Sequence, residues 1–434
     1  MVTRIGNWLP NDPRVLRKWL KKRVDHVKKN PPKWSSVIED FYNAVINDAE
    51  LYMLFNEMLR EVPAKYKDDP AGQPEIRDIE TLFNVFQSIL SEPPEWDSSA
   101  QIGTPINAVL DWPMGTKAGF AAFLKSNVNE HFKNMLSTWG HFLQTEASTA
   151  TLNDRPGGWF SQVALNSPHL RSLVDDFGVD ITKPAGGFRS WDAFFTRKFL
   201  PGRRPISSPD DDSIIVSAAE ATPFAVQCRV QLRDTFWIKG QKYSLAHMMN
   251  NDPRASQFVK GTVYQAFLSA DSYHRFHAPV SGKIVDPPAI VAGTYYSEPL
   301  ATGFSPDSGK PDPDPGADEA SQGYISAVAT RGVMFIQADN PKIGLVCMIV
   351  VGMAEVSSVQ ITMAPNTHFR KGAPLGMFHF GGSTHCLCFL PGVDLAFNFP
   401  DDLPGPNNNI QWPVNQALAT VKSTANVAYC ACYS

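Results

Sequence analysis

The hydrophobic pattern changes once along the chain, and this change limits the fold more than any other feature. Before about residue 142, apolar residues recur at helical intervals. From Ile214 onward, short β-branched and aromatic runs alternate with Gly, Pro, Asn and Asp, as expected of strands joined by turns. This order predicts an α+β fold, with a helical N-terminal domain over 1–150, a connecting segment over 151–208 and a mostly antiparallel β domain over 209–434.

The predicted elements follow from apolar spacing and from cap and breaker residues. Ser35 or Ser36 caps the second helix, and Ser190 caps a later one that Pro-Gly ends. The predicted helices cover 14–33, 37–46, 76–90, 119–142 and 190–200. The predicted strands include Ile214–Val216, Phe224–Val226, Phe236–Ile238, Val263–Leu268, Val333–Ile336 and Leu345–Val351.

The first predicted helix is strongly basic. Residues 14–33 contain nine Lys or Arg, and helical spacing places Val15, Trp19 and Leu20 near one face with the bases on the other. A basic amphipathic helix can lie on an anionic membrane, but such a helix more often docks on the protein core. We favour the docked helix and keep peripheral membrane contact through 14–33 as the alternative.

The composition argues against several classes of protein. With a net charge of −4, the chain lacks the basic excess that binding to nucleic-acid phosphates requires. The longest apolar stretch, 343–353, is about half of the roughly 20 residues that span a membrane. The N-terminus also lacks the apolar run of a secretory signal. We therefore predict a cytoplasmic globular protein with no nucleic-acid partner.

Two further features have competing interpretations. The pairs Cys386/Cys388 and Cys430/Cys432 have C-x-C spacing, which predicts buried thiols on one strand face rather than a zinc site. The segment between Pro299 and Gln322 is rich in Pro, Asp and Gly, which predicts a mobile loop. This loop is either a tolerated insertion or a lid over the site, and we favour the lid because long loops are often functional.

The main chemical feature lies near the C-terminus, where Gly381-Gly382 precedes Ser383-Thr384 between apolar runs. Because Gly382 has no side chain, nothing blocks attack of the Ser383 hydroxyl on the preceding carbonyl. This arrangement suits an intramolecular N→O acyl shift and backbone cleavage, which could leave a pyruvoyl group in place of Ser383. The alternative is a Gly-Gly turn that closes a hairpin.

A second chemical feature is a pair of histidines, His274 and His277, next to a predicted strand. No third metal ligand stands at a recognisable offset, so the pair predicts acid–base work rather than a metal site. Acid–base work needs a carboxylate that orients an imidazole. Glu220 lies among small apolar residues, where a carboxylate is costly without a partner. We therefore predict a relay of Glu220, His277 and Ser383.

The chain resembles the phosphatidylserine decarboxylase family in the order and spacing of four motifs between residues 190 and 434. The family motifs are F-F-x-R with P-G-x-R-P, S-P-A-D-G, Y-H-R-x-H-x-P and L-G-S-T. They correspond here to Phe194–Arg197 with Pro201–Pro205, Ser217–Ala221, Tyr273–Pro279 and Gly381–Thr384. The helical front end resembles a narrower branch that includes a soluble L-tryptophan decarboxylase.

The resemblance implies a self-processing, pyruvoyl-dependent decarboxylase of that fold. Ser383 would attack the Gly382 carbonyl with help from His277, dividing the chain into a β chain (1–382) and an α chain (383–434). The pyruvoyl ketone would form a Schiff base with a substrate amine and accept electrons as CO₂ leaves. His274 or His277 would return the proton to carbon, and the resemblance favours His274.

Two departures from the family pattern bear on this expectation. Glu220 replaces the family's Asp and Gly381 replaces its Leu. Because no membrane segment is present in the sequence, we favour a small-molecule substrate, an amino acid that is plausibly aromatic, such as L-tryptophan. The alternatives are a phospholipid substrate, as in phosphatidylserine decarboxylase, and an unprocessed, inactive relative that acts as a binding or scaffold protein.

Overall fold

The structure is a computed structural model that describes residues 13–63, 74–97, 100–234, 243–293, 321–353, 355, 358–400 and 410–422. Within these ranges the α-helices are α1 (Pro13–Lys29), α2 (Ser36–Asn47), α3 (Ala49–Met58), α4 (Ile79–Leu90), α5 (Ala100–Gly103), α6 (Pro105–Met114), α7 (Lys117–Phe123), α8 (Ser126–Leu143), α9 (Gln162–Leu165), α10 (Leu173–Phe177), α11 (Trp191–Phe195), α12 (Leu245–Met248) and α13 (Gln322–Val328). Short 3-10 helices cover Glu146–Thr151, Pro184–Gly187 and Pro253–Phe258.

In the described part of the chain, all strands lie after residue 213. They are β1 (Ile214–Val216), β2 (Thr222–Cys228), β3 (Thr262–Leu268), β4 (Arg275–His277), β5 (Gly282–Ile284), β6 (Ala289–Val291), β7 (Arg331–Ala338), β8 (Leu345–Met353), β9 (Val359–Ile361), β10 (His368–Phe369), β11 (Pro374–Phe378), β12 (Gly382–Phe389), β13 (Leu395–Phe397) and β14 (Ala417–Val421). Helices followed by antiparallel strands confirm the predicted α+β class.

The predicted helix over 119–142 is two helices, α7 and α8. The side-chain amide of Asn129 donates to the carbonyl oxygens of Phe123 (2.7 Å) and Lys125 (3.0 Å). These bonds satisfy carbonyl oxygens that the end of α7 leaves without a helical partner, so the chain can turn before α8 begins. The apolar spacing continues across the break, which is why the pattern predicts one helix.

The predicted helix after Ser190 is also shorter than expected. The Ser190 hydroxyl accepts from the N–H of Ala193 (3.0 Å), as a cap should, but α11 ends at Phe195. The Thr196 hydroxyl donates to the carbonyl oxygen of Asp192 at 2.8 Å. Side-chain bonds of this kind compete with the helical backbone, and the chain leaves the helix before it reaches Pro-Gly.

The basic helix α1 is docked on the protein core. Leu20, Val24 and Val27 on its apolar face are buried among the other N-terminal helices. Arg17 pairs with Glu75, with 2.8 Å between the nitrogen and oxygen atoms. These contacts confirm the docked interpretation of this helix. Across the described ranges, no helix has both the length and the apolar character needed to cross a membrane.

The strands form three antiparallel sheets. The largest contains eight strands in the order β10-β5-β7-β8-β12-β3-β2, with β6 added beside β7. Two three-stranded sheets have the orders β4-β11-β9 and β1-β14-β13. In the large sheet β12 is bonded on both sides, to β8 and to β3. The strand that begins at the predicted cleavage site is therefore held along both edges.

The alternation of side chains along β12 supplies two separate cores. Leu387 and Phe389 belong to one core cluster, whereas Cys386 and Cys388 belong to the cluster on the other face of the sheet. Cys386 and Cys388 are buried free thiols, as predicted, and burial raises the pKa of the Cys386 thiol. The other predicted pair, Cys430/Cys432, lies outside the described residues.

The predicted strands from Ile214, Phe224, Val263, Val333 and Leu345 are all present, most of them longer than predicted. Two other predictions lie outside the described residues: the strand over 236–238 and nearly all of the loop between 299 and 322. The domain boundaries at 150 and 208 stay a prediction. Residues of 152–195 do pack in the same core cluster as the N-terminal helices.

Candidate active site

The predicted cleavage site lies where the chain passes from one sheet to another. β11 pairs with β4 and β9, whereas β12 pairs with β3 and β8. The hairpin alternative is therefore wrong, because the strands on either side of the Gly-Gly do not pair with each other. Gly381 has φ = 122°, a conformation that side-chain-bearing residues rarely adopt. A glycine at this position thus allows the crossing.

Ser383 is the second residue of β12 and is fully buried. It stands opposite Leu268 on β3 and Gly352 on β8. Within the part of the chain that the structure describes, its hydroxyl has no hydrogen-bond partner. A buried hydroxyl without a partner is costly, and in native structures such groups often have a chemical role. The Ser383 hydroxyl is thus available as a nucleophile.

His274 is fully buried, and its ring stacks on Phe195 with 4.2 Å between ring centroids. Its Nδ1 lies 3.2 Å from the carbonyl oxygen of Ser272, so Nδ1 carries the proton and donates. Nε2 has no partner among the described residues. Burial, together with the nearby charge of Arg197, lowers the pKa of His274 to about 3. The ring is therefore neutral near pH 7 and presents a bare acceptor nitrogen.

His277 is held by two hydrogen bonds. Its Nδ1 donates to the carbonyl oxygen of Gly372 at 2.9 Å, and its Nε2 accepts from the Tyr273 hydroxyl, also at 2.9 Å. Burial lowers the pKa of His277, against the opposing effect of the Gly372 bond. Burial also raises the pKa of Tyr273, so this hydroxyl stays protonated and is the donor. A carbonyl and a phenol, rather than a carboxylate, orient this imidazole.

Glu220 is buried and has a partner, as the sequence predicts, but the partner is the half-buried Arg204. The guanidinium approaches the carboxylate to 2.7 Å, and the N–H of Val414 donates to the other oxygen at 2.8 Å. Burial by itself would lower the pKa of Arg204. The hydrogen bonds to Glu220 and Asp176 and the negative charges of these two carboxylates outweigh burial, so the pKa of Arg204 is raised. The extra methylene of Glu220 thus serves an ion pair.

The predicted relay is therefore not hydrogen-bonded in this structure. Glu220 is hydrogen-bonded to Arg204, and His277 is hydrogen-bonded to Tyr273. Among the described residues, the Ser383 hydroxyl has no hydrogen bond to Glu220 or to His277. The physical cause is that a charged guanidinium is a stronger hydrogen-bond partner for a carboxylate than a neutral imidazole is. The roles of these residues stay predictions, and any direct bond from His277 to Ser383 requires local movement.

The structure adds Arg197 to the surroundings of His274, a contact that the analysis of single side chains missed. It is buried and donates to the carbonyl oxygens of Phe194, Asp271 and Ser272, the last two at 3.2 Å. Ser272 O also accepts from His274, so Arg197 braces the loop that carries this histidine. Burial lowers the pKa of Arg197 to about 10, which leaves it charged. The F-F-x-R motif was the available signal, but it did not indicate this contact.

His385 was also missed. It lies two residues after Ser383 on β12, so the two side chains share a face of the sheet. His385 is fully buried, neither ring nitrogen has a partner among the described residues, and burial lowers its pKa to about 4. The sequence shows His385 two positions after Ser383, between Thr384 and Cys386. On a strand this spacing places the two side chains on one face, but the sequence analysis did not use that signal.

Comparison with known proteins assigns this arrangement to a family. A family model described as phosphatidylserine decarboxylase matches residues 191–407, and a second with the same description matches 35–167. The chain is 41% identical to the decarboxylase iboD of Amanita muscaria, over 69% of this chain and 87% of that protein. It is 36% identical to the L-tryptophan decarboxylase of Psilocybe cubensis, over 89% of this chain and 86% of that protein. Phosphatidylserine decarboxylase proenzyme 3 of Schizosaccharomyces pombe is 30% identical over 52% of this chain but 21% of its own length.

Proposed function

Since the chain belongs to the phosphatidylserine decarboxylase family, we propose that it cleaves itself between Gly382 and Ser383 and uses the resulting pyruvoyl group to decarboxylate an amino acid. The enzyme is a decarboxylase, a carboxy-lyase. One observation carries the proposal of self-cleavage: the Ser383 hydroxyl is buried without a partner, directly after two glycines that cross between sheets. Such a hydroxyl fits the precursor of a pyruvoyl group.

The cleavage consists of three balanced steps on the chain itself. The Ser383 oxygen bonds to the Gly382 carbonyl carbon, the peptide C–N bond breaks, and the hydroxyl proton passes to the freed amine. Loss of the Cα proton of residue 383 then expels the Gly382 carboxylate and leaves dehydroalanine. Addition of water and loss of ammonia complete the ketone. A pyruvoyl ketone supplies the electron sink that amino-acid decarboxylation needs.

The two histidines have different roles in this proposal. His277 acts as the base for Ser383 once its Nε2 exchanges the Tyr273 hydroxyl for the serine. His274 presents a neutral acceptor nitrogen in a water-poor setting, and Arg197 holds it in place through Ser272 O. We assign His274 to the proton that decarboxylation returns to carbon: its bare Nε2 first takes a proton from the ammonium group of the substrate, and the imidazolium gives that proton to the carbon after CO₂ has left. Glu220 acts at a distance: it holds Arg204, whose guanidinium lies 4.2 Å from the ring centroid of Phe199, and this ring in turn lies 4.4 Å from that of Tyr273.

We propose an aromatic amino acid such as L-tryptophan as the substrate. The support comes from the relatives that this chain matches over most of its length, two of which are L-tryptophan decarboxylases. Phosphatidylserine is the second candidate, because the family's named members act on it. A cytoplasmic location stays a prediction of the sequence.

The decisive experiment is an intact-mass measurement of the purified protein beside a Ser383→Ala variant. We expect the wild type to separate into residues 1–382 and a smaller chain blocked at its N-terminus, while the variant stays whole. An uncut wild-type chain would contradict the pyruvoyl mechanism and favour the inactive scaffold. Release of CO₂ from L-tryptophan, other amino acids and phosphatidylserine then identifies the substrate.

A further inference from the structure

The residue two positions before Gly382 is buried in the core of the helical half. Phe380 packs edge-on against Trp139 of α8 and Trp191 of α11, with ring centroids 4.8 and 4.6 Å away. Phe195, also on α11, lies 5.6 Å from it. Phe380 thus belongs to the core cluster of the N-terminal helices, although its neighbours in sequence belong to the sheets.

The preceding residue, His379, is held by the same helix. Its Nδ1 lies 2.9 Å from a carboxylate oxygen of Asp192 on α11, and its Nε2 lies 3.2 Å from the side-chain oxygen of Gln360 on β9. The backbone N–H of His379 also donates to the carbonyl oxygen of Ser358 at 3.3 Å. Both residues between β11 and the Gly-Gly are therefore tied to α11.

We propose that α11 positions the scissile bond, with Phe380 and His379 as positioning residues for self-cleavage. This inference rests on the proposed function of Gly382–Ser383. The helical half then contributes directly to formation of the active site, because it holds Phe380 and His379 on the upstream side of the scissile bond.

The backbone explains why a grip is needed. Downstream of the bond, β12 is held by β3 and β8 on both edges. Upstream, β11 belongs to another sheet, Gly382 is paired on one side only, with Met353 of β8, and Gly381 has the conformational freedom of a residue without a side chain. Without an anchor, the Gly382 carbonyl would move relative to the Ser383 oxygen. Because a displacement of about 1 Å can cost roughly 100-fold in rate, an anchor next to the glycines has a large effect.

The same helix also positions His274. Phe195 stacks on the His274 ring at 4.2 Å and contacts Phe380 at 5.6 Å between centroids. One short helix therefore orders the upstream side of the scissile bond and a histidine assigned to the later reaction.

The test is the rate of self-cleavage of newly synthesised Phe380→Ala, followed by gel and intact mass. The matched control is Phe160→Ala, which removes a buried ring that packs on Phe194 of the same helix at 5.8 Å. Thermal unfolding of each substitution is measured in a Ser383→Ala background, so that stability is compared without cleavage. We expect Phe380→Ala to cleave at least about 10-fold more slowly than Phe160→Ala at similar stability, with partial rescue in Phe380→Leu.

His379→Ala should slow the cleavage as well, by a smaller factor, because Phe380 still anchors the segment. Equal rates for Phe380→Ala and Phe160→Ala would overturn the inference and leave the proposed self-cleavage intact. A wild-type protein that is never cut would instead remove the proposed function itself. The two failures are therefore distinguishable.

Discussion

At the scale of single residues, burial decides the chemistry of the site more than charge does. His274 and His385 are both fully buried, and burial lowers their pKa values to about 3 and about 4. Both rings are therefore neutral near pH 7, and neither His274 Nε2 nor either ring nitrogen of His385 has a partner among the described residues. Gly381 adopts φ = 122°, so the glycine that replaces the family's Leu meets a backbone requirement of this chain.

The hydrogen bond between Tyr273 and His277 gives a residue-scale prediction. If His277 Nε2 serves Ser383, then Tyr273→Phe frees that nitrogen, and self-cleavage should proceed at the wild-type rate or faster. His277→Gln should slow it by about 100-fold or more, as loss of a general base does. The measurement is a time course of chain cleavage. A Tyr273→Phe variant as slow as His277→Gln would show that His277 acts through the phenol.

At the scale of elements, a single carboxyl joins the end of β8 to the start of α6. Glu355 is buried, and one of its oxygens accepts from the N–H groups of Ile106 (2.6 Å) and Asn107 (2.9 Å). The other oxygen has no partner within the described ranges. Burial outweighs the backbone donors and raises the pKa of Glu355 from 4.5 to about 8. Since Met353 on β8 pairs with Gly382, this contact lies close to the cleavage site.

This carboxyl predicts a pH-dependent stability. Because the pKa of Glu355 is higher in the folded state, the folded chain binds this proton more tightly than the unfolded chain does. The contribution of Glu355 to the free energy of unfolding is therefore fully present below pH 4.5 and is lost as the pH rises from there through about 8. We expect the stability of Ser383→Ala relative to Ser383→Ala with Glu355→Gln to decrease over this interval. Thermal unfolding from pH 5 to 9 measures the difference. A constant difference would contradict a proton on Glu355.

At the scale of the whole molecule, the helical half has two structural tasks. Its core buries the apolar face of α1, and it receives Phe380 from the opposite half of the chain. The first contact leaves α1 little apolar surface with which to enter a bilayer. The second places the ring of Phe380, two residues before Gly382, in the helical core, so the proposed cleavage site adjoins both halves of the chain.

The docked helix gives a prediction about membranes. Lys18, Lys22 and Lys28 are exposed on α1 and would be the residues that meet anionic lipid. We expect Lys18→Glu/Lys22→Glu/Lys28→Glu to match the wild type both in pelleting with phosphatidylserine-containing vesicles and in release of CO₂ from L-tryptophan. Wild-type pelleting that disappears in the variant would favour the phospholipid substrate. Vesicles of neutral lipid separate charge-driven binding from insertion.

The sequence by itself determined the class of fold and the candidate chemistry. Apolar periodicity is local, so it predicted the helices of the first half and the strands of the second. The order of motifs likewise predicted Ser383, His274, His277 and Glu220 as site residues. The ends of α7 at Phe123 and of α11 at Phe195 were not predictable in this way, because the side chains of Asn129 and Thr196 bond to nearby carbonyl oxygens where the apolar pattern continues.

Only the tertiary structure decided which of these residues touch. In the structure Glu220 forms an ion pair with Arg204, and His277 forms a hydrogen bond with Tyr273. Phe380 packs in the helical core. These pairings depend on elements that lie far apart in the chain and on which charges are buried together. The free energy of an ion pair or a ring contact depends on its three-dimensional surroundings. The apolar periodicity of a single segment does not specify those surroundings.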